Sequence, residues 1–418
     1  MRTLPSRVLS VSIFCFVLVL LCLLALTGCA GMPGNNTAPN SGGNPGISGA
    51  TPQFTTYLYG TGFGDSIAAF RMDENSGALT PVQSPFPGTN QGEMGFFAIP
   101  DPRGRFMFLQ QRDDSPAQKA PVLSTFKIDA ATGALSVVSS VVRPLILAGV
   151  IEPKGNFMYA VEGTVLHVYR LDNAGNFTQA SATQLKDSPF PELPSMTTDS
   201  AGRFLFIVGT STDNKEIKEV IYAFSLDPNS GAATAVTGSP FASELLVGNF
   251  AQHPGGTIEV LPSGNVLYLL GEVDGGDGRI QSFTISSSGS LTPGPVTALD
   301  RAFEDPNLAI DPGGRFLYVT DLLGLTIKIR GFAINSSTGG LTPLPGSPFA
   351  ATSINSGIIW ESTAVDPTGK FLYVSSQDNN TQIHRFSINQ STGALSEQPG
   401  TVPILPSQSI LFFLRIAH

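Results

Sequence analysis

Four acids stand at nearly the same distance before a recurring turn glycine: Glu93 by 11 residues, Glu192 by 10, Glu304 by 10 and Glu361 by 8. Arg301 and Trp360 stand beside two of them. Carboxylates gathered in this way can hold a cation, accept sugar hydroxyls, or raise one another's pKa until one works as an acid or base near neutral pH. On that reading Glu93, Glu304 and Glu361 are the acid–base candidates and Arg301 stabilises a developing oxyanion, with Glu192 and Trp360 as ligand contacts. The competing reading is a set of solvated loop acids in an acidic protein. Other chemistry is thinly represented. His167, His253, His384 and His418 are scattered without metal-ligand spacing, so no metal site is expected. Asp274-Gly275-Gly276-Asp277-Gly278 misses the alternating ligand pattern of a calcium loop and reads as a hairpin turn. There is no Gly-x-Ser-x-Gly elbow and no phosphate-cradling glycine loop, and no cofactor is expected.

What would bring these acids together is an internal repeat. An aromatic, any residue, an aliphatic and then a turn glycine recur at Phe70-Met72-Gly77, Phe126-Ile128-Gly133, Tyr169-Leu171-Gly175, Phe224-Leu226-Gly231, Phe283-Ile285-Gly289, Phe332-Ile334-Gly339 and Phe386-Ile388-Gly393. Phe70 to Phe386 is 316 residues over six intervals, a mean near 53. A second element, Asp-Pro-x-Gly followed by a basic residue and an aromatic, occurs at Asp101, Asp311 and Asp366, with weaker copies at Glu152 and Asp199. In the fifth copy either His253-Pro254-Gly255-Gly256 or Leu261-Pro262-Ser263-Gly264 is the turn. The first element has seven copies, and the strands of the kind that follow the second, counted from Tyr57-Leu58-Tyr59 to Phe371-Leu372-Tyr373-Val374, also number seven.

The runs after these turns, such as Phe316-Leu317-Tyr318-Val319, are apolar at every position, so both faces of each strand must be buried. Blades packed face to face around an axis satisfy that demand. The expected fold is therefore all-β: a seven-bladed propeller of four-stranded antiparallel blades spanning residues 54–418. The first copy lacks a strand before Tyr57, whereas the chain ends in an orphan apolar run, Ile410-Leu411-Phe412-Phe413-Leu414. That C-terminal strand is expected to close the ring and remove an open edge. Ser-Pro-Phe recurs at Ser84, Ser188, Ser239 and Ser347 and reads as a blade-packing motif rather than a site.

In an antiparallel meander successive connections alternate between the two faces of the disc. The Asp-Pro-x-Gly turns and the Thr-Gly-Ala-Leu type turns thus share one face, and the irregular loops share the other. Variable loops on a rigid scaffold are where binding or catalysis is expected, and the four acids lie in those that enter the channel mouth.

The N-terminus supplies location. Arg2 and Arg7 precede an apolar run from Val8 to Leu26 that ends in Leu26-Thr27-Gly28-Cys29, the order of an export signal. The tetrapeptide resembles the lipobox of bacterial lipoproteins, which implies removal of residues 1–28, acylation of Cys29 and attachment to the membrane through that anchor. Ala30 follows where an aspartate would signal inner-membrane retention, so the outer membrane is the expected address in a cell that has one. Cys15 and Cys22 leave with the signal, and the mature chain has no internal disulfide. Residues 29–53 comprise the lipidated cysteine and a Gly, Pro, Asn and Ser tether. Without Arg2 and Arg7 there remain 21 basic against 32 acidic residues, a balance of −11 that argues against nucleic-acid partners. Nothing in the chain points to an oligomer, and a monomer is expected.

The repeat Asp-Pro-x-Gly-Arg-Phe-Leu-Tyr-Val, followed by Phe-x-Ile-Asn-x-x-Thr-Gly-x-Leu-Thr, closely resembles the lactonase-type seven-bladed propellers, which include 6-phosphogluconolactonase-like proteins and carboxymuconate-lactonising enzymes. The resemblance covers roughly residues 54–418. It implies a channel-mouth site with a histidine, arginines and a glutamate, carried by a Gly-Pro-Arg-His type segment. The matching stretches here read Gln91-Gly92-Glu93-Met94-Gly95, Glu304-Asp305-Pro306-Asn307 and Trp360-Glu361-Ser362-Thr363. Only glutamates and Arg301 carry over, so a carboxylate would have to serve as acid or base. Two functions follow as expectations: a tethered scaffold presenting its variable-loop face to an envelope protein or glycan, and alternatively a hydrolase or cyclase of a small lactone.

Overall fold

Runs rich in aromatic and β-branched residues follow each first turn, and they form strands buried on both faces, as in Phe316-Leu317-Tyr318-Val319, where no side chain exceeds 6% exposure. The computed structural model describes residues 54–417 apart from 63–65, 83–85, 88–93, 113–119, 186–194, 214–215, 247–256, 274–276, 300–306, 324–325, 351–361, 377–381, 401 and 404–407. The described residues form seven sheets, each an antiparallel meander of four strands, and contain no helix. Blade three is representative, with Ile146–Ile151 innermost, then Phe157–Glu162, Val165–Leu171 and Phe177–Gln184 outermost. In blades one, four, six and seven the outer strand is split in two, as in Leu341–Pro343 and Phe349–Ala350, which both pair with Thr326–Ile334.

The ring closes as the orphan run predicted. Gln408–Ala417 is the innermost strand of blade one and pairs antiparallel with Phe54–Gly62, so the two ends of the propeller share one sheet. Innermost strands touch their neighbours in order around the axis, including Met94–Pro100 with Ile146–Ile151 and Thr257–Val260 with Asn307–Ile310. Apolar clusters lie between successive blades rather than within them. Tyr57 and Tyr59 of blade one, for example, pack with Met107, Leu109 and Phe126 of blade two.

First turns are held by a buried acid. Asp199 accepts the backbone N–H groups of Arg203 at 2.6 Å and Phe204 at 2.8 Å, and Asp366 accepts those of Thr368 at 2.8 Å and Phe371 at 2.6 Å. Asp101, Asp199, Asp311 and Asp366 are fully buried. The glycine of the turn between third and fourth strands sits on a residue at or near the start of the second strand of the preceding blade. At Gly133, with φ of 72°, an added Cβ would lie 2.4 Å from the Tyr57 ring, so glycine is required there by both conformation and space. Tyrosine hydroxyls fasten the same seam: Tyr59 donates to the Gly133 carbonyl at 2.9 Å and Tyr318 to that of Gly393 at 2.8 Å. These contacts place the two regular turn sets on one face of the disc.

Of the Ser-Pro-Phe copies, Ser239 and Ser347 each accept a backbone N–H from the third strand of their own blade, at 2.9 Å from Ala223 and 3.0 Å from Gly331, while Phe241 and Phe349 pack on the core. Ser84 and Ser188 lie outside the described residues. The Asp274 segment joins two paired strands, with Val273 opposite Asp277, as the hairpin reading expected.

Candidate functional site in the central channel

The ambiguity at the fifth turn resolves to Leu261-Pro262-Ser263-Gly264: the Gly264 N–H donates to the Leu261 carbonyl at 2.7 Å, and Gly264 has φ of 72°. With the turn located, the seven innermost strands can be aligned by register. The position two residues before the turn lies opposite a fully or almost fully buried aromatic of the second strand. The pairs are Ile99 with Phe108, Val150 with Tyr159, Thr197 with Phe206, Ala309 with Tyr318, Ala364 with Tyr373 and, at the closing strand, Phe412 with Tyr59. In blade five the same position is Glu259, opposite Tyr268. An acid thus stands where every other blade places an aliphatic residue, an aromatic or a threonine.

Glu259 is held in the middle of the short strand Thr257–Val260, whose β-branched and apolar residues pair it firmly to Val266–Val273. Its side chain is half-buried and makes no hydrogen bond or ion pair with any described residue. The innermost strands on either side, Met196–Thr198 and Asn307–Ile310, contain no ionisable residue. On the second strands packed against it the ionisable groups are Tyr268 directly opposite, Glu272 four residues further along, and Asp213 at the far end of Phe204–Asp213. Loss of water without any compensating partner pushes the carboxyl up to about 7. A group so placed is half-ionised near neutral pH, which suits proton transfer. Thr197 occupies the same register on the neighbouring strand of blade four, and among the described residues its hydroxyl meets only the Thr198 carbonyl, at 3.5 Å.

The acids of the first turns do not compete for this role. Asp311 accepts the Phe316 N–H at 2.7 Å and pairs with Arg315 at 3.0 Å; Glu152 accepts the N–H groups of Lys154 and Asn156, each at 2.6 Å. Each of these carboxylates is engaged by the backbone N–H groups of its own turn. A further polar cluster lies at the seam of blades two and three. Arg143 pairs with Glu162 at 3.2 Å, the Tyr169 hydroxyl donates to Glu162 at 2.6 Å, and the His167 ring stacks on Tyr169 at 6.0 Å. Arg143 also lies 4.4 Å over the Tyr169 ring, and the cluster joins two blades through a paired charge, with Arg143 Nε and His167 Nδ1 buried without a hydrogen bond among the described residues.

All of the residues singled out by spacing, Glu93, Glu192, Arg301, Glu304, Trp360 and Glu361, lie outside the described residues, as do Cys29 and His253. In sequence the four acids precede the innermost strands Met94–Pro100, Met196–Thr198, Asn307–Ile310 and Ser362–Val365 by one to four residues. Glu259 was missed because the fifth turn was not located. Once it is, the signal is legible as a lone acid in the register column Ile99, Val150, Thr197, Ala309, Ala364.

A model of the seven-bladed beta-propeller lactonase family matches residues 54–412. Among solved structures, a candidate 6-phosphogluconolactonase from Bacteroides fragilis is 20% identical, with a TM-score of 0.65 over 89% of this chain and 100% of the other. A candidate 6-phosphogluconolactonase from Bacteroides uniformis is 21% identical, with a TM-score of 0.62 over 86% and 99%. A protein from Lactobacillus plantarum is 16% identical, with a TM-score of 0.65 over 87% and 100%. At these identities the structures speak for the fold alone. No curated protein matches. The family match spans most of the chain and coincides with the described propeller, and the chain belongs to the seven-bladed β-propeller lactonase family.

Proposed function

We propose that this protein is an exported, lipid-anchored propeller that opens a small lactone ring within its central channel, with Glu259 as the general base. The observation that carries this reading is the carboxyl of Glu259, which has no hydrogen-bond or ion-pair partner among the described residues and stands between innermost strands that contain no ionisable residue. Export and anchoring rest on Arg2, Arg7, the apolar run and Cys29. In the reaction, an ionised Glu259 oxygen takes a proton from water as the water oxygen attacks the lactone carbonyl. The ring C–O bond then breaks, and the same proton passes to the departing alkoxide, giving a hydroxy acid and restoring the carboxylate. Thr197 stands on the adjoining strand as a hydroxyl donor.

A second reading, the tethered scaffold, has its own observation. The outermost strand of blade two, Leu135–Val142, exposes Val137 at 52% and Val142 at 70%, together with Val138 and Val141. Val141 and Val142 also line a cleft of about 460 Å³ with Arg143 and Phe177. One experiment separates the two. Proton release from a panel of sugar, alkyl and aromatic lactones is followed with the full lipidated chain in detergent and with Glu259→Gln. Turnover that rises with pH through about 7, and falls by ~100-fold or more in the variant, is expected. No turnover on any lactone, or a variant as active as the parent, would leave the scaffold reading.

A further inference from the structure

Four of the five large apolar side chains that stand exposed among the described residues lie in one strand: Val137, Val138, Val141 and Val142, with Phe54 as the fifth. That strand, Leu135–Val142, is the outer edge of blade two and pairs, among the described residues, only with Val122–Ile128. It reads Leu-Ser-Val-Val-Ser-Ser-Val-Val, with no charge and no proline. Strand edges are ordinarily protected by shortness, by proline or by charge, because an open edge is a template for another strand. The other outer edges of this propeller follow that rule. Leu79–Pro81, Ala233–Ala235, Leu341–Pro343 and Leu395–Glu397 are three residues long, and the longer segment Phe241–Leu246 carries Glu244. Leu291–Ala298 carries Pro293 and Pro295, and Phe177–Gln184 continues after its phenylalanine in threonine, glutamine, serine and alanine. Blade two alone combines length with an uncharged valine-rich edge among these described strands.

The register shows which backbone groups of this edge point outward. The Arg143 N–H donates to the Pro121 carbonyl at 2.9 Å, and Val141 and Ser139 lie opposite Leu123 and Thr125. Hydrogen-bonded pairs alternate along an antiparallel ladder, so Arg143, Val141 and Ser139 bond inward while Ser140 and Val142 turn their N–H and C=O groups away from the sheet. The pairing shifts by one residue at Val138, a bulge that ends the regular edge on one side. Pro144, which has no N–H, ends it on the other. The outward window is therefore two residues wide and centred on Val141.

A partner for this window must bring an extended run with two outward residues, apolar side chains, and no charge to set against the valines. Leu135–Val142 itself meets each requirement, and the geometry suits a two-fold axis. With the axis through Val141, Ser140 of each copy lies opposite Val142 of the other, which makes two hydrogen-bonded pairs. Val141 then meets its own counterpart at the close, non-hydrogen-bonded spacing of about 4.5 Å between Cα atoms. An axis through Ser140 would call on the bulged Val138, and one through Val142 would call on Pro144. Arg143, opposite Ser139 of the second copy, is already turned to Glu162 at 3.2 Å. We infer that two copies of this chain associate edge to edge through Leu135–Val142 of blade two, in antiparallel register about Val141. This stands whether or not Glu259 is catalytic, and it departs from the monomer expected of the sequence.

The test uses the full chain. An interface of one strand from each copy belongs to the small, reversible class, so sedimentation is followed over roughly 1–100 µM. The parent is expected to pass from monomer to dimer over that range. Val141→Lys, a charge at the centre of the edge, should stay monomeric while keeping the parent's urea midpoint, since the side chain lies outside the cores between blades. Register is read by oxidative crosslinking of Val141→Cys and Val142→Cys, with the parent, whose own cysteines are Cys15, Cys22 and Cys29, as the blank. A cysteine at 141 meets its counterpart within disulfide reach, whereas one at 142 stands diagonal to its own at roughly 7–8 Å. Dimer formed through 141 should exceed that through 142 by at least ~10-fold, although Val142 is the more exposed, at 70% against 38%. A parent that stays monomeric throughout, a dimer that survives Val141→Lys, or crosslinking that follows exposure and favours 142 would each overturn the inference.

Discussion

Blades five and six are neighbours built on one repeat, yet they differ at three residues that hold the repeat together and in what a fourth, shared tyrosine bonds to. In blade six, Asp311 saturates the first turn, Arg315 pairs with it, Phe316 lies under Gly393, and the Tyr318 hydroxyl reaches the Gly393 carbonyl. In blade five the corresponding residues are Leu261, Asn265, Val266 and Tyr268, and the Tyr268 hydroxyl is buried without a partner. The acid absent from the turn of blade five stands two residues earlier, in the strand, as Glu259 where blade six has Ala309. In the turn, a carboxylate is saturated by backbone N–H groups that the turn itself presents. Two residues away the backbone N–H groups are committed to strand pairing, and the same functional group has no donor among the described residues and only part of its surface open to water. The difference teaches that the acid conforming to the repeat builds the scaffold, whereas the acid departing from it is left available for chemistry.

That contrast can be broken most readily at Asp311. Replacing it with Ala leaves the Arg315 and Phe316 N–H groups and the Arg315 guanidinium without their acceptor, and is expected to cost about 3–5 kcal/mol in urea unfolding. A loss below about 1 kcal/mol would show that the turn acids do not carry the scaffold. Glu259→Gln should move stability the other way. Because the folded carboxyl titrates at about 7 against an ordinary value of 4.5, the protonated form favours the folded state. Stability is therefore full below about 4.5 and declines as pH rises through about 7. The glutamine variant should lack that decline and gain up to about 3 kcal/mol over the parent at pH 8, read as the difference between denaturant midpoints at pH 4.5 and 8. Identical pH curves for the two proteins would remove Glu259 from consideration as a desolvated acid. The smallest effect sharpens the seam: Tyr318→Phe should cost about 1 kcal/mol, whereas Tyr268→Phe should be neutral or slightly stabilising, since its hydroxyl has nothing to lose.

Amino-acid order by itself determined the number of blades and their closure, because alternation of apolar strand runs with glycine turns is a local demand repeated seven times. The orphan run Ile410–Leu414 could satisfy its two faces only beside Tyr57. It also marked the acids before the innermost strands, at Glu93, Glu192, Glu304 and Glu361, since those follow from spacing alone. Only the tertiary structure decided which turn serves blade five, and with it that Glu259 lies inside a strand rather than in a loop. His253-Pro254-Gly255-Gly256 and Leu261-Pro262-Ser263-Gly264 both read as turns in sequence, and strand pairing across to Val266–Val273 is what selects the second. The pKa of Glu259 was equally beyond local reading. It depends on the uncharged strands of blades four and six, roughly fifty to sixty residues away, which take away part of its water and supply no charge in its place.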